Sequence, residues 1–192
     1  MAEKGEDQKI EKTEDQEAKD AIEQLERVKE IHKVEALLDH LRNVESACER
    51  LGKKLMMLGE LEFGKILIAN SRIHDYSKWY GIEWNFLTRE AADENPEMFK
   101  AALIQHQSVN DHHPEYWGGI NDMPRIKVAE MVCDWYARSV EMGTDLRDFF
   151  QNVACKKYGM SKQGKKYKEV REFMELLLDA QFKKPGTKKV DK

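Results

Sequence analysis

One apolar stripe sets the first limit on how this chain can fold. Leu37, Leu41, Val44, Cys48 and Leu51 fall at i, i+4, i+7, i+11 and i+14 in "LLDHLRNVESACERLG". That spacing puts all five on one face of an α-helix, and a strand cannot use it. The period reaches back to about Ala18, and Gly52 or Gly59 can end the helix. A second, more buried helix is predicted over "LEFGKILIANSRIHDYSKWY", carrying a His-Asp pair in its last turn, with a variable segment at 81–94 after it. Asn95 as N-cap and Pro96 at the first helical position open a third helix, which closes at Pro114. Asp122, with Pro124 close behind, marks the start of "RIKVAEMVCDWYARSVEM", and Gly143 stops it. Thr144 caps "DLRDFFQNVACKKYG", and a last amphipathic helix covers roughly 163–182. No β-alternation or internal repeat interrupts this pattern, so the predicted fold is all-α, about six helices in one domain.

Length and charge bound the rest. At 192 residues the chain suits a single domain. Residues 1–17 are charged and free of aromatics, the composition of a disordered tail. The domain then covers 18–182, and "KKPGTKKVDK" at 183–192 is a basic flexible tail. The middle of the chain offers no basic stripe, which argues against nucleic acid as a partner. No run approaches the ~20 apolar residues of a membrane helix, and the N-terminus lacks the apolar core of a secretion signal. Cys48, Cys133 and Cys155 are odd in number and widely spaced, as expected of reduced thiols in a cytoplasmic protein.

The chemistry-bearing residues lie along those helices. His40 borders the buried face, where a lone histidine is usually a core residue with one hydrogen bond. His74 and Asp75 are neighbours, and both can reach one ion only where the backbone leaves helical geometry. In "QHQSVNDHHPEYWGG", His106, Asn110 and His113 recur at i, i+4 and i+7, one helix face. If the helix breaks before Pro114, His112 or His113 can turn inward. Asp134 sits toward the edge of its helix's apolar face, where a rim salt bridge with Arg138 is the ordinary explanation. Singly, each residue has a bland account. Together, imidazoles and carboxylates on four helices form a mixed N/O ligand set suited to a divalent transition metal (Mn, Fe, Co, Ni or Zn), one or two ions. Such ions lower the pKa of bound water and clamp the oxygens of a phosphoryl transfer.

The order His40, His74-Asp75, Asp134 resembles the H…HD…D signature of the HD-domain superfamily, all-α metal-dependent phosphohydrolases. The resemblance runs from about residue 37 to 140. It implies that His40, His74, Asp75 and Asp134 hold a first ion and that His106 with His113 or His112 holds a second. "HDYSK" also resembles the HDxGK of the HD-GYP branch, which implies a phosphate contact for Lys78. "HHPEYWGG" loosely resembles that branch's HHE-plus-glycine segment, although no GYP tripeptide is present and the gap from His106 to His112 is shorter.

A closer likeness is to a family of phage and bacterial proteins (domain of unknown function 5662), with the pattern HDxSKF…HxxxNxHHxxYW…EMxxDW. Glu83 falls near a glutamate of those relatives and is a secondary site candidate. The expected function is hydrolysis of a nucleotide or other small phosphate ester through a metal-bound hydroxide. Asp75 and Lys78 are the expected catalytic residues, and Lys78, Asn110 and Arg138 the expected substrate contacts. Two other readings use the same residues. One is a di-iron oxygenase of the HD type, for which the chain has the four histidines and two aspartates. The other is a metal-stabilised interaction module whose helix over 18–36, with Ile22, Leu25, Val28 and Val34, faces a partner or packs on its own domain.

Overall fold

The computed structural model describes the backbone of residues 3–179 and the side chains from residue 16 to 179. The basic tail at 183–192 and the end of the last predicted helix therefore lie outside the described residues. The chain divides into two compact units, one up to Asp39 and one from His40 on.

Helix α1 (Glu3–Met57) opens the chain, and no break in its backbone marks residue 17. In the first unit, Ile22, Leu25, Val28 and Ile31 are exposed, and Arg27 pairs with Glu23 one turn away. In the second unit the predicted stripe is buried where it should be, with Val44, Cys48, Leu51 and Leu55 fully enclosed. Gly59, at φ 100°, ends the turn after α1 in a conformation that favours glycine. Gly52 is not a stop but a contact. A Cβ there would stand 2.8 Å from the Gly64 carbonyl oxygen, and a Cβ on Gly64 would stand nearer still to that of Gly52. Only glycine at both positions lets α1 and α2 (Leu61–Asn70) lie backbone to backbone.

The second predicted helix is shorter than its sequence promised. It stops at Asn70, and two single 3₁₀ turns follow, Ser71–Ile73 and Tyr76–Trp79. The variable segment at 81–94 carries α3 (Gly81–Phe86) and α4 (Arg89–Glu94), the latter capped by Thr88. Helix α5 (Pro96–Val109) begins with Asn95 accepting from the Met98 N–H, as predicted. It ends five residues before Pro114 because Asn110 is already extended.

Helix α6 (Arg125–Met142) starts after Pro124, with no side-chain cap from Asp122, and stops at Gly143 in the left-handed conformation. Asp145, not Thr144, caps α7 (Leu146–Phe149), accepting from Asp148 N–H. A π-helical turn at Phe150–Ala154 leads into α8 (Cys155–Lys157), and α9 (Lys165–Leu178) closes the described chain. Helix α6 packs on α2 and α9, and its Val128, Met131 and Val132 share one core with Leu51, Leu67, Phe173 and Leu177. Lys54 donates to the Leu176 and Asp179 carbonyls at 2.5 and 2.6 Å, so a cation from α1 closes the C-terminal end of α9. The architecture is all-α. Among the described residues no helix is long and apolar enough to cross a membrane.

Candidate metal centre

The break after α2 creates the centre. His74 is extended (φ −55°, ψ 134°) and Asp75 is left-handed (φ 55°, ψ 23°). Asp75 is the only non-glycine with positive φ among the described residues. This departure from the helix is what lets adjacent side chains turn to one point. Aspartate tolerates the left-handed region better than most residues, and the cost of holding it there is about 1–2 kcal/mol.

Around this pair the structure gathers two donor groups, and a third set, His74, His112 and Glu130, lies close behind them. His40, His74 and Asp134 form the first, and Asp75, His106, His112 and His113 form the second. Asp75 belongs to both. Its Oδ2 stands 3.3 Å from His40 Nε2 and 3.5 Å from His74 Nε2. Its Oδ1 stands 3.5 Å from His106 Nε2 and 3.3 Å from His112 Nε2. Asp134 Oδ1 completes the first group at 3.3 Å from His40 Nε2, and His113 Nε2 lies 2.9 Å from His106 Nε2 in the second. Because α5 ends early, His112 and His113 both turn inward, so neither displaces the other.

Do these donors fit an ion? Ligand atoms about 2.0–2.2 Å from a transition metal stand about 3.0–3.5 Å from one another when they subtend 90–109°. Most of the separations above fall there. Among the described residues, six buried side-chain polar atoms have no hydrogen-bond partner, and four of them are His40 Nε2, His74 Nε2, His112 Nε2 and Asp75 Oδ1. Buried polar atoms are normally satisfied. Two of these orphans stand in the first group, His40 and His74 Nε2, and two in the second, His112 Nε2 and Asp75 Oδ1, as donor atoms left for cations would.

Three carboxylates back the imidazoles. His40 Nδ1 meets Glu141 Oε1 at 3.0 Å, His74 Nδ1 meets Glu130 Oε1 at 3.2 Å, and His106 Nδ1 meets Glu83 Oε2 at 2.8 Å. A carboxylate accepts, so Nδ1 is the donor in each of these pairs and each ring is held with its Nε2 edge toward the centre. Glu83 is a candidate from the sequence, whereas Glu130 and Glu141 come to light only in the fold. The signal was there: Glu130, Asp134 and Glu141 stand at i, i+4 and i+11 on α6, within about 40° of one another. Arg138 pairs with Glu141 at 3.1 Å and not with Asp134, which corrects the expected rim salt bridge. Asn110 caps α5 beside His106, donating to Ser77 Oγ at 2.8 Å and the His106 carbonyl at 2.9 Å. Ser77 in turn donates to Glu83. Lys78 pairs with Asp75 Oδ2 at the edge of the first group.

The model of a family of unknown function (DUF5662) matches residues 29–181. The chain belongs to this family. No curated protein and no solved structure matches it. The matched span of the DUF5662 chain contains every donor and every backing carboxylate named above.

Charge at the DUF5662 centre divides the histidines. Burial alone would lower the His40 pKa, but the carboxylates of Asp134 and Asp75 outweigh it and raise it to about 9. Burial dominates at His106 and His113, lowering them to about 3 and about 4. Burial would raise Asp75, Asp134 and Glu130, yet the imidazoles and lysines around them hold Asp75 and Asp134 far below the usual carboxylate range and Glu130 down to about 2. The centre therefore keeps ionised carboxylates in a buried site. That is the electrostatic condition for taking up cations.

Proposed function

We propose that this DUF5662 protein is a metal-dependent phosphohydrolase of the HD type, acting on a nucleotide or another small phosphate ester. One observation carries the reading: a single buried aspartate, Asp75, turns one oxygen to each of two imidazole groups, with a lysine at its edge. That arrangement suits a pair of ions set side by side, which is what in-line phosphoryl transfer uses. His40, His74, Asp134 and Asp75 would hold the first, and Asp75, His106, His112 and His113 would hold the second. Mn, Fe, Co, Ni and Zn all suit these nitrogen and oxygen donors. When bound, the metal supplies Lewis acidity, lowering the pKa of water and polarising a phosphoryl oxygen.

The chain's own residues do the remaining work. Asp75 fixes the spacing of the two positions and steers the attacking water. Lys78 exchanges its contact with Asp75 for a phosphate oxygen, and Arg138, half exposed on α6, neutralises the outer phosphate charge. Glu141, Glu130 and Glu83 hold the imidazole rings in one tautomer so that they do not reorganise during the reaction. The three unpaired cysteines, two of them buried, fit a cytoplasmic setting.

The test is phosphate release from a panel of nucleotides and simple phosphate esters, run with the Mn²⁺-loaded protein, with the chelated protein and with Asp75→Asn. Chelation should abolish release, and the substitution should reduce it roughly a hundredfold or more, beyond the usual cost of losing a supporting residue. Undiminished hydrolysis by metal-free protein would rule the reading out. A second reading is favoured by the donor inventory, since His40, His74, His106 and His112 with Asp75 and Asp134 make four histidines and two aspartates. Such a set also serves di-iron oxygenases. Iron in the purified protein, with a visible absorption band on oxidation, would select it.

A further inference from the structure

Glu130 touches both donor groups, which no other backing carboxylate does. Its Oε1 lies 3.2 Å from His74 Nδ1 and 3.8 Å from His112 Nδ1. Those two rings lie against each other, with centroids 4.1 Å apart, while His74 aims Nε2 at the first position and His112 at the second. Glu141 reaches only His40 of the donor set, and Glu83 only His106. The other oxygen of Glu130 is pinned by Lys127 Nζ at 2.9 Å and Asn70 Nδ2 at 3.4 Å. Lys127 is itself tied to Asp111, the residue before His112, at 2.8 Å.

We infer that Glu130 is a positioning residue shared by the two ion positions, so that filling either one strengthens the other. The inference rests on the two-position reading of the centre. An imidazole whose Nε2 held an ion would be a stronger donor at Nδ1–H. The Glu130 carboxylate is then fixed against that ring, and its Oε1 becomes a set point for the neighbouring one. Coupling of this kind is reciprocal, because each ion changes the other's affinity by the same factor. Lys127 and Asn70 keep the carboxylate from following one ring at the expense of the other.

Mn²⁺ titration of the full chain by calorimetry tests this, with metal content checked by elemental analysis. Two backgrounds isolate the positions: His113→Ala leaves the first intact, and His40→Ala leaves the second. Glu130→Gln keeps the shape of the side chain and removes its charge. It should weaken the remaining ion about tenfold to a hundredfold in both backgrounds. Glu141→Gln, the one-sided control, should weaken it only where His40 is present. Lys127→Met should repeat the two-sided pattern with a smaller loss, which guards against a Glu130 variant that fails to fold.

A one-sided loss, or none, with Glu130→Gln in a chain that binds two ions overturns the inference and leaves the centre standing. An unmodified chain that takes up no Mn²⁺ overturns both. Unfolding of the Glu130 and Lys127 variants alike also overturns it, by making their pair a support of the core and not of the ions.

Discussion

His40 and the pair His106 and His113 carry opposite burdens in the metal-free protein, and their balance is visible in its dependence on pH. The His40 pKa is raised to about 9 from 6.5. Its stabilising contribution is therefore complete below about pH 6.5 and is lost as pH rises through 9. His106 and His113 are lowered to about 3 and about 4 from the same starting value. Below about pH 6.5 the unfolded chain takes up protons that these two folded rings refuse, so stability falls as pH drops toward 4. Both signs point to a maximum near about pH 6.5. Thermal melts of chelated protein across pH 4–10 should show it. A melting temperature still climbing from pH 6.5 to 9 would contradict the raised His40.

At the scale of elements, the contact of α1 with α2 has no slack. Gly64→Ala would drive a methyl group into the Gly52 carbonyl, which neither backbone can vacate without separating the helices. Overpacking of this kind costs about 1–3 kcal/mol, a fall of roughly 5 °C in melting temperature for a chain of this size. Because α2 leads directly into His74 and Asp75, ion affinity should fall with it, and calorimetry on the folded variant would detect that.

The same scale shows what was legible in the residues. The stripe through Val44, Cys48 and Leu51 follows from helical period alone, and Asn95 with Pro96 marks the start of α5 through local hydrogen bonding. The breaks at Asn70 and Asn110 were not legible, because each is held by tertiary partners and not by a local stop signal. Asn110 leaves the helix while its side chain bonds Ser77, more than thirty residues away. Glu130 and Glu141 were hidden differently. Charged residues on an amphipathic helix read as solvated until a histidine is known to face them.

For the molecule as a whole, bound ions and folding draw on the same free energy. A ligand that binds only the folded state, at a hundred times its Kd, stabilises by about 2.7 kcal/mol. For this chain that corresponds to a rise of about 5–10 °C in melting temperature. Differential scanning calorimetry with and without Mn²⁺ should find it, and the shift should vanish in Asp75→Asn. An unchanged transition at saturating ion would remove the metal centre from the account of this fold.

The donors are spread over His40, His74-Asp75, His106 to His113 and Asp134, with two of the three backing carboxylates on the same helix as Asp134. On the ribosome, that order makes the first donor group a late product. A nascent chain exposes all of its ligating histidines before α6 arrives to enclose them, so a message cut short of α6 yields five imidazoles and Asp75 without Asp134 or the carboxylates that hold the His40 and His74 rings.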